Sequence, residues 1–83
     1  MKPHKGTITT WHRMTNFQGQ DHIVGFFVDH PYVRNFSYTS RVVSLEGNEL
    51  ETEESRYTLD GPDIGYDEYM QRHIEFRRRT GYP

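Results

Sequence analysis

Cysteine is absent from this chain of 83 residues. Its absence excludes disulfide bonds, thiolate zinc sites and cysteine nucleophiles. Long apolar runs are absent too: the longest covers residues 23–28 and includes a glycine, whereas a helix that spans a bilayer needs about 20 apolar residues. The segment MKPHKG has no apolar stretch after its lysines, so we expect no secretory signal. Together these absences favour a cytoplasmic protein without membrane contact.

Aliphatic side chains are scarce, whereas rings are not. Only 33% of the residues are hydrophobic, but 14% are aromatic, and rings bury more area per residue than aliphatic side chains do. A chain of this length has room for one small core. We therefore expect a single domain over residues 1–83 with a thin aromatic core, comprising β-structure over 6–60 and a helix over 63–80.

Charge is nearly balanced overall but unevenly placed. The net charge of −2 argues against a simple nucleic-acid binder. Most acidic residues lie within 46–68, while basic residues collect within 2–13 and 72–79. Such a dipolar surface steers a charged partner even when the total charge is near zero.

The first part of the chain predicts two strands. The segment GTITTWHRM, Gly6 to Met14, is rich in β-branched and aromatic residues, and the segment from Asp21 has the same character. If these strands form a hairpin across the polar turn TNFQGQ, His12 and Met14 lie near residues 22–24. The following HPYVRNFS contains a proline that cannot donate to a ladder, so we expect an exposed loop there.

A second hairpin is predicted around Gly47-Asn48, a pair that suits a type II′ or a bulged hairpin turn, since glycine accepts positive φ at the first central position. A two-residue loop gives three cross-strand pairs: Leu45 with Leu50, Val43 with Thr52, and Arg41 with Glu54. Tyr57 and Leu59 lie on the opposite face from Leu50 in an unbroken strand. A bulge near residues 53–55, or a bend that changes partners there, resolves this conflict.

The spacing of the apolar residues changes from that of strands to that of a helix after DGP, residues 60–62. A helical stripe then follows, made of Tyr66, Tyr69, Met70, His73, Ile74 and Arg77 with Phe76 at its edge, and Gly81 is a stop signal. The fold class is therefore α+β and mainly β. We expect a four-stranded antiparallel meander, curled into an SH3-like or partly open barrel, with one C-terminal helix. A flat four-stranded sheet with the helix across it is the alternative.

The stretch DHIVGFFVDHP has an Asp-His pair at each end, which raises the question of a metal or catalytic site. His22 and His30 are eight residues apart, about 26 Å at a strand's rise, so they share no ligand. His12, His22 and Asp21 converge in the first hairpin, but the chain has no ligand spacing of the kind zinc sites use. We predict no metal site and no cofactor.

Catalysis is also poorly supported. The four serines lie in or beside predicted strands, outside any nucleophile-elbow context. The paired carboxylates of ETEES fit a charged edge that blocks aggregation between sheets. We predict that the protein is not an enzyme and has no catalytic residues.

The segment DHPYVRNFSY is the best candidate for binding. Aromatic residues and arginine are the types enriched at protein–protein hot spots, and loops of a small domain run over its surface. The structural alternative is that one or two of these rings plug the end of the core. We predict that the partner-binding residues are Tyr32, Arg34, Phe36 and Tyr38, with secondary electrostatic contacts from Glu51, Glu53, Arg77, Arg78 and Arg79.

In the segment YTSRVV followed by LETEESRYTL, the sequence resembles short uncharacterised proteins that bacteriophages and their bacterial hosts carry. The resemblance covers residues 6–60 and implies no site residues. It implies a protein that occupies the surface of a host protein, including proteins of defence systems.

Three functions are therefore compared. The first is a non-enzymatic protein-interaction module that inhibits or regulates a host or cellular protein. The second is a single-stranded nucleic-acid binder that uses the C-terminal arginines and surface aromatic rings. The third is a homodimer whose unpaired strand edges meet across a two-fold axis.

Overall fold

The computed structural model describes residues 2–33 and 35–80. The fold is α+β and mainly β, as expected. It consists of β1 (His4–Thr15), β2 (Asp21–Val28), β3 (Asn35–Tyr38), β4 (Val42–Glu46), β5 (Glu49–Thr52), β6 (Arg56–Leu59) and α1 (Tyr66–Thr80). The strands form one sheet in the order β3-β2-β1-β6-β5-β4.

Two three-stranded antiparallel meanders, β1–β3 and β4–β6, are joined by a parallel pair between β1 and β6. The expected four-stranded antiparallel meander is therefore wrong in strand number and in direction. Two strands were missed: β3 lies in the expected loop, and the expected strand after Gly47-Asn48 is divided by a turn at residues 53–55. The sheet is open, so the expected SH3-like barrel is not formed.

The local predictions for the two hairpins are largely confirmed. Leu45 pairs with Leu50 across the Gly47 turn, and Gly47 has φ +59°. The register shifts between Val42 and Ser44, so Val42 and not Val43 pairs with Thr52. In the first hairpin, His12 pairs with Val24 and Met14 with His22. Arg41 approaches Glu53, Nε to Oε1 3.6 Å, and not the expected Glu54.

A β-bulge in β1 determines how β2 packs against it. Thr9 pairs with Phe26 and His12 with Val24, so two residues of β1 oppose the single residue Gly25. Thr10, within the bulge, has φ +44°, a strained value for a β-branched residue. A Cβ on Gly25 would lie 2.9 Å from the Cα of Trp11. Glycine at position 25 is therefore what lets the two backbones approach.

The two faces of the sheet pack against different partners. One face holds the main buried cluster, which consists of Ile8, Trp11, Ile23, Phe27, Val42, Leu50, Tyr57 and Leu59. The other face of β2 and β3 carries Phe26 and Phe36, whose rings contact Phe76 of α1 at 5.9 and 5.3 Å between centroids. Edge-to-face ring pairs of this kind add stabilisation beyond the area they bury.

The face of α1 that packs on the sheet differs from the predicted stripe. Tyr69 is buried and Phe76 half-buried, whereas Tyr66 and Ile74 are exposed. The helix begins at Tyr66 and not at residue 63. The predicted stop at Gly81 lies outside the described residues.

The connection between β6 and α1 is fastened to β1 by side-chain hydrogen bonds. The indole N–H of Trp11 donates to the carbonyl of Gly61 at 2.9 Å. The Asp63 carboxylate lies 2.8 Å from Nδ1 of His12 and accepts the backbone N–H groups of Arg13 and Gly65 at 3.1 and 2.8 Å. Partial burial raises the pKa of Asp63, but these hydrogen bonds outweigh it and hold the pKa below its ordinary value of 3.8.

Replacing Asp63 by Ala is expected to destabilise the fold by about 1–2 kcal/mol, because two backbone N–H groups lose their acceptor. The comparison is urea denaturation against Asp60→Ala, which changes an exposed carboxylate in the same connection between β6 and α1. The pKa of Asp63 is lower in the folded protein than its ordinary value of 3.8. Its contribution to the free energy of unfolding is therefore fully present above pH 3.8 and is lost as the pH falls through the folded-state pKa. Equal stability of the two variants at neutral pH would contradict this role.

Candidate partner-binding surface

The predicted partner-binding residues lie on and beside β3, an edge strand of the sheet. Phe36 and Tyr38 belong to β3, and Tyr32 precedes it. Arg34 lies outside the described residues. β3 pairs on one side with β2, from Val24 opposite Tyr38 to Phe27 opposite Asn35. Its other side is the edge of the sheet, where backbone groups are accessible to another chain.

Phe36 is half-buried and packs beneath the helix. Its ring lies 5.3 Å from those of Phe26 and His73 and 5.8 Å from that of Tyr69, measured between centroids. Most of this ring lies between α1 and the sheet, and not at the end of a barrel. A partner therefore reaches only a part of Phe36.

Tyr32 is exposed over 84% of its surface, yet its ring is held in place. It lies edge-on to the ring of His30 at 6.2 Å, and the Lys5 ammonium is 5.3 Å from its centroid. The backbone N–H of Tyr32 also donates to Nδ1 of His30 at 3.0 Å. An exposed ring with a restricted position loses little freedom when a partner binds it.

Tyr38, at the other end of β3, is exposed over 71% of its surface. Its ring lies edge-on to that of His22 at 6.0 Å. It borders a cleft of about 310 Å³ whose other lining groups include Arg41 and Glu53. Tyr38 and Glu53, two of the predicted contact residues, are thus brought to one place.

The exposed residues Tyr32 and Tyr38 mark opposite ends of one edge. Tyr38 packs on His22 at the start of β2, while Tyr32 packs on His30 just after the end of β2. β2 has eight residues, which gives it a length of about 26 Å. Tyr32 and Tyr38 therefore do not form one compact patch. A partner that contacts both must extend along β3, and we call this the β3 edge surface.

Phe17 is an exposed ring that the sequence analysis did not single out. It is fully exposed in the turn between β1 and β2. The side-chain carbonyl of Asn16 accepts the backbone N–H groups of Gln18 and Gln20, both at 2.9 Å, so the turn is ordered. Asn16 and Gln20 line the Tyr38 cleft, which puts Phe17 beside it. The available signal was a lone aromatic residue inside the polar segment TNFQGQ.

Glu51 and Glu53, the acidic residues predicted to orient a partner, are in different situations. Glu51 is paired with Lys2, Nζ to Oε2 2.8 Å, and Lys2 also donates to the carbonyl of Thr52. The hydrogen bond from Lys2 lowers the pKa of Glu51. Glu51 thus ties the segment before β1 to β5, while Glu53 is exposed and lines the Tyr38 cleft.

The C-terminal arginines extend from the last turn of α1, where positive charge complements the helix dipole. Arg77, Arg78 and Arg79 are exposed. Arg79 and Arg72 also line a cleft of about 180 Å³ between α1 and the sheet, together with Glu75 and the rings of Phe26, Phe36 and Phe76. Arginines and aromatic rings, which the nucleic-acid hypothesis requires together, meet in this cleft.

In the first hairpin, His12 and Asp21 are the side chains that could bind a metal ion or act as a base. Each of them is hydrogen-bonded to different residues. His12 faces Asp63, whereas Asp21 accepts from Thr15 and Arg13, both at 2.7 Å. These hydrogen bonds lower the pKa of Asp21. Across residues 2–33 and 35–80, no group of three or more His, Asp or Glu side chains is placed to hold a metal ion. No helix in the same ranges is long and apolar enough to cross a membrane.

Comparison with known proteins adds no relative: no protein-family model, curated protein or solved structure matches this chain.

Proposed function

We propose that this protein is a non-enzymatic protein-binding module that uses the β3 edge surface. The observation that carries the proposal is the arrangement of Tyr32 and Tyr38. Both rings are largely exposed, each packs on a histidine, and they lie at the two ends of one edge strand. Tyrosine is among the residues enriched at hot spots because its ring gives a large contact at a low entropic cost.

An extended segment of the partner fits this surface. An edge strand offers backbone N–H and C=O groups to a strand from another chain, and side-chain contacts at its ends add specificity. Tyr32 and Tyr38 supply such contacts here, and Phe17 extends the surface beyond Tyr38. Arg41 and Glu53, on the wall of the Tyr38 cleft, give it both signs of charge.

The partner that the resemblance implies is a host protein, and the resulting role is inhibition or regulation of that protein in the cytoplasm. The absence of cysteine is consistent with this compartment. A phage-encoded regulator of a defence system is the most specific form of this proposal.

The test is a pull-down with tagged protein from nuclease-treated bacterial lysate, analysed by mass spectrometry. We expect one stoichiometric protein, and we expect Tyr32→Ala combined with Tyr38→Ala to reduce its affinity about 100-fold or more, since hot-spot truncations cost about 2 kcal/mol or more each. Tyr66→Ala is the matched control, because Tyr66 is an exposed tyrosine on the helix. Retention of the partner by a folded double variant would contradict the assignment of the β3 edge surface as the binding site.

A single-stranded nucleic-acid binder is the second candidate, and the cleft containing Arg72, Arg79 and three phenylalanine rings favours it. Glu75 in the same cleft reduces its positive charge. This function predicts that affinity for an oligonucleotide falls steeply with salt, because bound phosphates release counterions. Anisotropy titrations at several salt concentrations, with Arg72→Ala/Arg79→Ala as the comparison, measure it. A salt-independent or undetectable association excludes this candidate.

A homodimer through strand edges is the third candidate. The strand edges available for such a contact are those of β3 and β4, the outermost strands of the sheet. Light scattering at two protein concentrations distinguishes it from a monomer that binds another protein.

A further inference from the structure

His30 holds the backbone that carries Tyr32. Its Nδ1 atom accepts the backbone N–H groups of Tyr32 at 3.0 Å and of Val33 at 2.9 Å. A ring nitrogen accepts hydrogen bonds only while it is unprotonated. The observed geometry therefore requires neutral His30, with its proton on Nε2.

The surroundings of His30 disfavour its charged form. Its ring stacks on that of Tyr57 of β6, with centroids 6.0 Å apart and planes at 19°, and it also contacts Phe27 of β2 and Tyr32. Lys5 of β1 is the cation that acts on the ring. Burial raises the pKa of Tyr57, so this phenol stays neutral. Neither Lys5 nor Tyr57 compensates a positive charge on the imidazole.

The chain neighbour Asp29 does not change this balance. Asp29 is exposed to solvent and has φ +64°, as part of the turn that leads from β2 to His30. Partial burial, followed by repulsion from Lys5, holds the pKa of His30 below its ordinary value of 6.5. The imidazole is thus neutral at neutral pH and charged only in more acidic solution.

We propose that His30 is a proton-sensitive anchor for Tyr32. A proton on Nδ1 removes the acceptor of two backbone N–H groups and places a cation beside Lys5, so the segment of Tyr32 and Val33 leaves its position. Partner binding through Tyr32 then weakens in acid. This regulation rests on the proposed function of the β3 edge surface, whereas the movement of the anchor belongs to the free protein.

Replacing His30 by Asn is the decisive variant. The Oδ1 atom of asparagine occupies nearly the same place along the side chain as Nδ1 of histidine and accepts backbone N–H groups two and three residues ahead. His30→Asn therefore preserves an acceptor for both backbone N–H groups and removes the titration, while the ring contacts of His30 are lost. His30→Ala removes the anchor at every pH.

The measurement is amide NMR and hydrogen exchange of Tyr32 and Val33 in the free protein, from neutral pH down through the titration of the His30 ring, whose pKa lies below its ordinary value. We expect both amides of the parent protein to shift and to lose protection together with the titration of the His30 ring. We expect His30→Asn to keep both amides in place throughout, and His30→Ala to lack their protection throughout. The other four histidines remain in both variants, so they serve as an internal control.

Two results in the free protein overturn the proposal. One is unchanged protection of Tyr32 and Val33 while the His30 ring titrates. The other is the same pH dependence in His30→Asn as in the parent protein. A partner captured in the pull-down should be released by the parent protein at the acidic pH at which the His30 ring is protonated in the NMR titration, but retained by His30→Asn, as expected for a histidine switch. Equal release by both contradicts regulation through His30, whereas failure of Tyr32→Ala/Tyr38→Ala to affect capture contradicts the binding surface alone.

Discussion

Gly25→Ala is expected to destabilise the protein by about 3 kcal/mol, at the upper end of what overpacking costs. The added Cβ would lie 2.7 Å from Cγ2 of Ile8, 2.9 Å from Cα of Trp11 and 3.0 Å from the carbonyl oxygen of Thr9. Two of these three atoms belong to the backbone of the β1 bulge, which moves only if the β1–β2 ladder opens. β2 contains His22 and leads into His30, and these histidines contact the rings of Tyr38 and Tyr32. The substitution therefore also disturbs the packing of these two tyrosines.

Urea denaturation followed by the fluorescence of Trp11, the single tryptophan, measures this loss. Gly61→Ala is a suitable control, because Gly61 has φ +77° and open space around it. Its cost is the backbone strain of a left-handed residue, about 1–2 kcal/mol. A Gly25→Ala protein as stable as the control would show that the bulge relaxes and that close approach of the strands is not required.

Trp11→Ala is expected to cost about 3–5 kcal/mol, the usual range for truncating a buried tryptophan. Trp11 is part of the main buried cluster and also holds the connection between β6 and α1. Its indole N–H donates to the carbonyl of Gly61, and its own carbonyl accepts from Ile64 at 3.0 Å. The substitution therefore removes core volume and loosens the segment that leads into the helix.

Trp11→Phe separates these two contributions, because it keeps most of the buried ring and removes only the N–H donor. The expected cost of the lost hydrogen bond is about 1–2 kcal/mol on top of the smaller volume. Circular dichroism is the appropriate signal, since these variants lack the only tryptophan. Equal stability of Trp11→Ala and Trp11→Phe would contradict a packing role for the indole.

The proposed binding residues were only partly predictable from the sequence. Composition identified Tyr32 and Tyr38 as candidates, and both are exposed. The same composition did not separate them from Phe36, which packs under α1. Exposure depends on where the helix lies, and no local pattern in residues 29–38 contains that information. The anchoring role of His30 is likewise invisible in sequence, because its ring contacts come from β2 and β6.

Local chemistry accounts for the parts of the fold that were predicted correctly. Gly47-Asn48 determined a two-residue hairpin loop, because glycine adopts the positive φ that its turn requires. The helical period after residue 65, with acids in the first turn and arginines in the last, determined α1. The change of face between Leu50 and Tyr57 indicated a break, and a turn at residues 53–55 supplies it.

Tertiary structure decided the rest. The parallel pairing of β1 with β6 joins residues about 50 positions apart, and a strand's own pattern does not specify the direction of its neighbour. The bulge at Thr10 places a β-branched residue at φ +44°, where a sequence would signal a bulge with glycine. Residue pattern alone specifies only the features that form within one turn, one hairpin or one helix. The sheet order, the buried face of the helix and the exposure of Tyr32 and Tyr38 depend on packing between distant segments, whose free energy is settled only in the folded chain.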